Sequence, residues 1–227
     1  MTAMIKIQST AADQFEFGAC YAAARGQRKG GIVVIQEIFG LDQYVRDDVE
    51  RWAKAGYEVI APSMFDRTHP GLEVPHDQQG MAVGMAARQA NSLDIALADL
   101  TACVNLLKVN GPVFVVGYCY GGSMAWQMAG RIEGIAAVSS YYGGLLATTA
   151  DLTPKCPVIC HFGRKDANIP ADGLKAILQA AQPQVPVFIY EKSGHGFNND
   201  GRPDSNTDDA ALARQRTIAL FEANGAV

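Results

Sequence analysis

The residue best suited to covalent chemistry in this sequence is Cys119. It lies in the segment GYCYGG (117–122), between an apolar, β-branched run (112–116) and a segment of helical character (123–129). This strand–turn–helix context is that of the nucleophile elbow, G-x-S-x-G, with sulfur in place of the serine oxygen. The thiol would lie at a helix N-terminus, where the dipole favours a thiolate and free N–H groups can receive an oxyanion. The alternative is a buried structural cysteine in a glycine-rich turn.

A carboxylate and a histidine follow two later predicted strands. The strand at 157–162 leads into a loop that contains Asp166, and the strand at 185–191 leads into a loop that contains His195 between two glycines. In a parallel sheet such loops meet at one edge, and the chain order nucleophile, acid, histidine is that of α/β-hydrolases. We predict that His195 takes the Cys119 proton and later protonates the leaving alcohol, while Asp166 orients and stabilises the imidazole.

Apolar strands alternate along the rest of the chain with segments of helical spacing. Further strands are predicted at 4–8 and 15–22, as an antiparallel pair, and at 31–36, 57–61 and 134–140. Helices are predicted around 45–53, from Asn91 or Ser92 to Leu107, near 171–181 and at about 207–223. Residues 62–80, rich in Pro, Gly and His, are predicted to form an irregular excursion that could act as a lid. The pattern indicates one α/β domain (1–227) with a mainly parallel sheet covered on both faces.

Composition excludes several functional classes. The chain has 227 residues, 48% hydrophobic and 19% charged, with a net charge of −4. The sequence has no Lys/Arg-rich block that would favour binding to nucleic acid or to an anionic membrane. No apolar run reaches transmembrane length. The N-terminus lacks the features of a secretory signal, and the five cysteines are an odd set, so we expect reduced thiols in a cytoplasmic protein. The sequence leaves open a monomer or a small homo-oligomer.

No metal or cofactor is expected. Cys156, Cys160 and His161 are close in sequence, but they lie in a predicted strand, where Cys160 and His161 point to opposite faces, and no second ligand pair has zinc-like spacing. His69 and His76 lie in the irregular excursion without an apparent acid or nucleophile partner. We therefore expect both to be solvated surface residues.

Three segments together resemble the dienelactone hydrolase (carboxymethylenebutenolidase) family: GYCYGG, QEIFG (36–40) and GHGF (194–197). The resemblance spans nearly the whole chain and implies an α/β-hydrolase fold with an eight-stranded, mostly parallel sheet and the triad Cys119, Asp166 and His195. Bacterial members of the family open unsaturated lactones to dicarboxylic acids during chlorocatechol breakdown. The resemblance thus implies hydrolysis of a small-molecule carboxylic ester or lactone through a cysteine acyl-enzyme.

The segment QEIFG has an expected role beside the thiol. A strand end that delivers Glu37 near Cys119 would place a carboxylate against the sulfur and disfavour the thiolate by charge repulsion. In the family this glutamate is thought to swing away when substrate binds, and we carry that role to Glu37 as a hypothesis. The backbone N–H groups of Ile38 and Tyr120 would form the oxyanion hole. The alternative for Glu37 is a helix cap or a pair with a surface Lys or Arg.

The sequence departs from the family at the positions that bind the substrate carboxylate. The family uses two arginines, and the match places Met81 and Asn199 there. Arg88 and Arg202 are close in sequence and could substitute for them. An apolar pocket is expected from aromatic side chains, namely Phe39, Tyr118, Tyr120 and Tyr142.

Two alternatives to a dienelactone-like substrate stay open. The first is an esterase or thioesterase of the same fold with a different, possibly neutral, acyl substrate. The second is a non-enzymatic, redox-responsive binding domain in which Cys119 senses oxidants. That second function would leave Asp166 and His195 unexplained, and no cysteine close in sequence could resolve a sulfenic acid.

Overall fold

Eight strands form one sheet within residues 2–227, which the computed structural model describes. The strands are β1 Ala3–Gln8, β2 Glu16–Ala22, β3 Gly30–Ile35, β4 Tyr57–Pro62, β5 Val113–Tyr118, β6 Ala137–Tyr141, β7 Val158–Gly163 and β8 Val187–Tyr190. Their order is β1-β2-β4-β3-β5-β6-β7-β8. β1–β2 and β2–β4 pair antiparallel, and the other neighbours pair parallel. The predicted mostly parallel, eight-stranded sheet is confirmed.

The described residues also form six α-helices. They are α1 Gln43–Lys54, α2 Gln78–Ala90, α3 Leu93–Leu107, α4 Tyr120–Arg131, α5 Ala171–Ala181 and α6 Thr207–Ala223. A side chain that accepts a hydrogen bond from the first-turn backbone caps four of them: Asp42, Asp77, Ser92 and Asn206. Such caps satisfy N–H groups that have no partner inside the helix, so polar residues before apolar runs mark these helix starts. Ser92, one of the two predicted candidates, caps α3.

The central strands β3 and β5 are buried along their whole length. Burial on both faces explains why these segments read as continuous apolar runs rather than as alternating ones. The carboxyl ends of β5, β7 and β8 lie at the same edge of the sheet because these strands are parallel members of it. This shared edge brings together loops that are far apart in sequence.

Helix α2 was not predicted from the sequence. The irregular segment ends at 77 rather than 80, and the Asp77 Oδ1 accepts from the Gly80 N–H at 2.8 Å to start the helix. Gly80 and Gly84 lower the intrinsic helix propensity of the segment. Packing requires them: a Cβ on Gly84 would lie 2.3 Å from the Ile38 carbonyl oxygen. The same close approach places α2 directly over the segment QEIFG.

The core contains an aromatic cluster on one face of the sheet. The Phe114 and Phe221 rings stack with centroids 4.4 Å apart, Tyr57 packs edge-on against both of them, and Trp52 packs edge-on against Tyr57. These four side chains come from α1, β4, β5 and α6, so the cluster ties the two helices to the central strands. Within residues 2–227, no helix combines the length and apolar character needed to cross a bilayer.

Candidate active site

Cys119 lies between the end of β5 and the start of α4, in a backbone conformation that is rare for a residue with a side chain. Its φ is 54° and its ψ is −110°. Two glycines allow the surrounding turn to close: a Cβ on Gly117 would lie 1.9 Å from the Gly121 carbonyl oxygen, and a Cβ on Gly121 would lie 2.2 Å from that of Ile35. The Cys119 N–H donates to the Tyr141 carbonyl at 3.0 Å. The turn therefore holds the partly exposed thiol at the N-terminus of α4.

Asp166 and His195 meet beside this thiol. The His195 Nδ1 lies 2.6 Å from the Asp166 Oδ2, and the Asp166 side chain is fully buried. The other carboxylate oxygen accepts from the N–H groups of Asn168, at 2.8 Å, and Ile169, at 3.1 Å. Because Nδ1 faces Asp166, Nε2 is left for Cys119, which lines the same cavity as His195 and whose thiol acts on the imidazole. The structure thus brings the three predicted residues together.

The environment of His195 favours its protonated form. Burial by itself lowers the pKa of His195. The hydrogen bond to Asp166, the interaction with the Cys119 thiol and the negative charge of both groups outweigh burial and raise this pKa from 6.5 to about 10. His161 in β7 shows the opposite behaviour: burial, together with the positive charge of Arg216, lowers its pKa to about 3. Its Nδ1 bonds to the Tyr190 hydroxyl at 2.9 Å, so His161 is a neutral core histidine. Only His195 of these two is placed to carry charge during a reaction.

A cavity of about 470 Å³ opens in front of Cys119 and His195. Its volume is in the range of small-molecule binding sites. The predicted residues that line it are Phe39, Tyr120, Arg88 and Arg202, together with Ile38. Two guanidinium groups therefore border the space next to the thiol.

Tyr142 lies elsewhere, contrary to its expected place in the pocket wall. It is fully buried, and its ring packs against that of His195 with centroids 4.7 Å apart. Its hydroxyl donates to the Asn198 Oδ1 at 2.6 Å. Tyr118 also points away from this cavity, because side chains alternate across the sheet at the end of β5. Neither tyrosine lines the cavity that contains Cys119 and His195.

Glu37 is buried and pairs with Arg202. Its side chain is 1% exposed, and its two carboxylate oxygens lie 3.2 and 3.1 Å from the Arg202 Nη1. Within residues 2–227 this guanidinium, rather than the Cys119 thiol, is the hydrogen-bond partner of the carboxylate. The alternative of a pair with an arginine is thus realised, but at the wall of the cavity that contains Cys119 instead of at the outer surface. Arg202 also packs over the Phe39 ring, 5.6 Å from its centroid.

The backbone between β3 and α1 approaches the start of α4. The Gly121 N–H donates to the Gln36 carbonyl at 3.1 Å, which ties the two segments together. Among the described residues the Ile38 N–H has no acceptor, and the Tyr120 N–H occupies the first position of α4, where no helical carbonyl precedes it. Both residues border the cavity. These two donors are available to a ligand next to Cys119.

The geometry agrees with what comparison with known proteins finds. The sequence profile described as the dienelactone hydrolase family matches residues 17–225. The chain belongs to the dienelactone hydrolase family. A carboxymethylenebutenolidase from Pseudomonas putida is 31% identical over 227 residues, covering 96% of this chain and 95% of that protein. The carboxymethylenebutenolidase of Pseudomonas knackmussii matches to the same extent, with 31% identity over 227 residues. The predicted family and ester-hydrolase class are confirmed.

Solved structures agree on the fold. A protein from Klebsiella pneumoniae that carries the provisional name dienelactone hydrolase has a TM-score of 0.82 at 24% identity and covers 98% of this chain and 99% of its own. A dienelactone hydrolase-like promiscuous phosphotriesterase from metagenomic libraries has a TM-score of 0.76 at 19% identity, with 98% of each chain covered. These likenesses establish the α/β-hydrolase fold of this dienelactone hydrolase family member.

Met81 and Asn199, the positions at which the resemblance led us to expect arginines, take different places in the structure. Met81 lines the cavity and is 40% exposed. Asn199 is buried, and its Oδ1 accepts from the Gly201 N–H at 3.0 Å, so it lies behind the wall rather than in it. Arg88 and Arg202 supply the guanidinium groups of the cavity instead.

Several features of the site escaped the sequence analysis. His76, expected to be solvated, bonds to the Asp42 Oδ2 at 2.7 Å and stacks on the Phe39 ring with centroids 4.0 Å apart. Met85 lines the cavity one helical turn after Met81. The spacing of Met81, Met85 and Arg88 would have indicated one helix face, but the glycines of α2 hid the helix.

Proposed function

We propose that this member of the dienelactone hydrolase family cleaves a small carboxylic ester or lactone through a thioester on Cys119. The observation that carries the proposal is the 2.6 Å contact between the His195 Nδ1 and Asp166, in a cavity that His195 and Cys119 line together. A nucleophile, its base and an acid that orients the base form the minimal apparatus for acyl transfer. The cavity beside the thiol receives the substrate.

The reaction proceeds in two acyl-transfer steps. His195 takes the thiol proton, the Cys119 sulfur bonds to the substrate carbonyl carbon, and the carbonyl oxygen becomes an oxyanion. The ester C–O bond then breaks, and His195 returns its proton to the leaving oxygen. Water adds to the thioester with its proton passing to His195, and cleavage of the C–S bond releases the carboxylic acid and restores the thiol. For a lactone, the alcohol formed in the first step stays attached to the acyl group.

The Ile38 and Tyr120 N–H groups stabilise the oxyanion. Both are unengaged donors that border the cavity, and the Gly121–Gln36 hydrogen bond holds their two segments in register. Donors fixed in advance lower the barrier because no solvent has to reorganise when charge develops. The N-terminus of α4 adds a favourable dipole at the same place.

Glu37 regulates the thiol through Arg202. The carboxylate is buried and depends on one guanidinium, and that guanidinium lines the cavity. An anionic substrate that attracts Arg202 weakens the pair and moves the Glu37 charge relative to the sulfur. The reactivity of Cys119 would then respond to substrate binding, as the resemblance to the family implies.

A neutral acyl substrate is the second candidate. The observation that favours it is that Met81, an apolar residue, lines the cavity at a position where the resemblance to the family leads us to expect an arginine. The two guanidinium groups at the cavity favour an anionic substrate instead. A redox-responsive binding domain has less support, because the buried Asp166–His195 pair would have no role in it.

The triad can be tested with a panel of activated esters and lactones. We expect Cys119→Ala, His195→Ala and Asp166→Asn each to lower kcat/KM by about 10²-fold or more, since each removes a group from the proton path. Mass spectrometry of the wild type under turnover should find the acyl group on Cys119. The matched control is Cys156→Ala, which removes a partly exposed thiol outside the cavity and should leave turnover unchanged. Equal activity in the wild type and the three triad variants would refute the proposal.

A further inference from the structure

The ring of Tyr142 lies against the imidazole of His195. The two ring centroids are 4.7 Å apart, and Tyr142 is fully buried. His195 itself stands between Gly194 and Gly196, so its chain neighbours contribute no side chains that could hold the imidazole. The hydrogen bond to Asp166 fixes the position of Nδ1, but the torsion that turns a histidine ring has a broad minimum. The plane of the imidazole, and with it the direction of Nε2, therefore depends on packing against Tyr142.

Tyr142 is held in an unusual backbone conformation. Its φ is 38°, in the left-handed region that a bulky residue rarely adopts. Its N–H donates to the His161 carbonyl at 2.8 Å, and its hydroxyl donates to the Asn198 Oδ1 at 2.6 Å. Burial, followed by the negative charge of Glu37, raises the pKa of Tyr142 well above its ordinary value of 10, so the hydroxyl stays protonated and remains a donor. Because such a conformation persists only where several contacts fix it, the bond to Asn198 helps to keep the ring in place.

The side chain of Asn198 is bonded on both sides. Its Nδ2 donates to the hydroxyl of Tyr44 in α1, while its Oδ1 accepts from Tyr142. An amide carries a donor and an acceptor, so it can bridge two hydroxyl groups. The preceding residue, Phe197, is fully buried and packs against the Tyr142 ring with centroids 5.9 Å apart. Asn198 thus joins α1, the residue that follows β6, and the loop that carries His195.

This bridge lies outside the substrate space. Neither Tyr44, Tyr142 nor Asn198 lines the cavity that contains Cys119 and His195. Tyr44 and Asn198 border a different, smaller cavity. A side chain that does not touch the substrate can act on the reaction only through the residues that do. Its loss should therefore appear in kcat rather than in KM.

We propose that Asn198 is a positioning residue for His195. Its amide, bonded to Tyr44 and Tyr142, fixes the Tyr142 ring against the imidazole and so keeps Nε2 directed at the cavity that contains Cys119. This assignment rests on the proposed function, in which His195 takes and returns the proton. It goes further by naming a group outside the cavity that sets the geometry of that proton transfer. A misplacement of about 1 Å at a reacting group lowers a rate by about 10²-fold, so such a contact matters for turnover.

The test measures hydrolysis of p-nitrophenyl acetate, with the folded fraction of each variant determined by circular dichroism. Asn198→Ala and Tyr142→Phe should each lower kcat by about tenfold, less than a full misplacement because Asp166 still holds Nδ1. KM should stay within about twofold of the wild type. Since both substitutions remove the same hydrogen bond, the double variant should be no slower than the slower single variant. Asn198→Asp should restore most of kcat, because a carboxylate of the same shape accepts from both hydroxyl groups.

A second readout follows Cys119 and His195 directly. The pH midpoint for alkylation of Cys119 by iodoacetamide should rise in Asn198→Ala, because a mobile imidazolium stabilises the thiolate less. A loss of folding stability alone would leave this midpoint unchanged.

The matched control is Tyr141→Phe, which removes a buried tyrosine hydroxyl one residue before Tyr142, where it bonds to the Thr217 Oγ1 at 2.9 Å. Its kcat and its alkylation midpoint should match those of the wild type. Wild-type kcat in Asn198→Ala or Tyr142→Phe, losses that multiply in the double variant, or an equal loss in Tyr141→Phe would overturn the positioning role while the dependence on Cys119 stands. If Asn198→Ala does not fold, Tyr142→Phe decides, because it keeps the ring. If Cys119→Ala hydrolyses the ester at the wild-type rate, the proposed function itself fails.

Discussion

Two buried carboxylates near the end of β5 differ in how they are held. Asp48 and Glu37 are both 1% exposed. Glu37 is bonded to one nitrogen of one arginine, Arg202. Asp48 accepts hydrogen bonds from three groups, the Tyr118 hydroxyl at 2.7 Å, the Arg214 Nη1 at 2.7 Å and the Trp52 indole N–H at 2.9 Å, with Arg51 3.4 Å away.

Each carboxylate is associated with a cavity, and the two cavities lie on opposite sides of the same strand end. The smaller one, about 230 Å³, is on the Tyr118 side and is lined by Asp48 and its partners. The larger one, about 470 Å³, is on the Cys119 side. In the smaller cavity the arginines that surround Asp48 are paired with carboxylates, whereas Arg88 in the larger one has no carboxylate partner among the described residues.

The comparison teaches how to distinguish a structural charge cluster from a functional one. Asp48 joins α1, β5 and α6 with donors from all three, so removal of any one partner leaves the carboxylate in place. Glu37 has one replaceable partner, and that partner faces the substrate space. A buried carboxylate with several hydrogen-bond donors around it is held rigidly. A buried carboxylate with a single partner can respond when a ligand competes for that partner.

Asp48→Asn should have the largest effect on stability. An amide provides one acceptor oxygen where the carboxylate provides two, and the half-buried Arg214 loses its counter-ion, so we expect the free energy of unfolding to fall by about 3 kcal/mol. Urea unfolding followed by circular dichroism measures this. The matched control is Asp47→Asn, at the exposed neighbouring position, with a change within about 0.5 kcal/mol. Equal effects of the two substitutions would contradict the structural role of the Asp48 cluster.

Glu37→Gln should affect reactivity more than stability. We expect the free energy of unfolding to fall by only about 1 kcal/mol, because Arg202 borders the cavity and water can solvate it. The rate of iodoacetamide alkylation of Cys119, measured as a function of pH, should change its profile because the substitution removes the buried charge that pairs with Arg202 at the wall of the Cys119 cavity. An alkylation profile like that of the wild type would show that Glu37 does not regulate the thiol. The contrast between a structural Asp48 and a functional Glu37 would then be wrong.

The contribution of His195 to stability should be visible through its dependence on pH. Its pKa is raised to about 10 in the folded protein from an ordinary value of 6.5, so its stabilising contribution is complete below pH 6.5 and is lost as the pH rises through about 10. The difference in unfolding free energy between the wild type and His195→Gln should therefore shrink between pH 6.5 and 10. In this range His161, whose pKa is lowered to about 3, is neutral and does not contribute. A difference that does not change with pH would show that the imidazole is not stabilised as a cation.

The strands and helices that could be predicted are those whose residue pattern is visible within a short stretch of sequence. Strands β3 and β5 are continuous apolar runs, and α5 and α6 begin and end where periodicity placed them. Helix α2 was missed because Gly80 and Gly84 disfavour a helix locally, while their close packing, visible only in the fold, requires them. Local propensity and tertiary packing conflict at this one helix, and it is the helix that lines the cavity.

The sequence by itself determined the sheet, the cysteine elbow and the order of the three catalytic candidates, because each depends on residue types within a few positions of one another. Only the tertiary structure decided which side chains face the thiol. The Glu37–Arg202 pair joins residues 165 positions apart, and Tyr142 turns behind His195 rather than into the cavity. Such partners are selected by distance, burial and charge in the folded chain, and no local pattern specifies them.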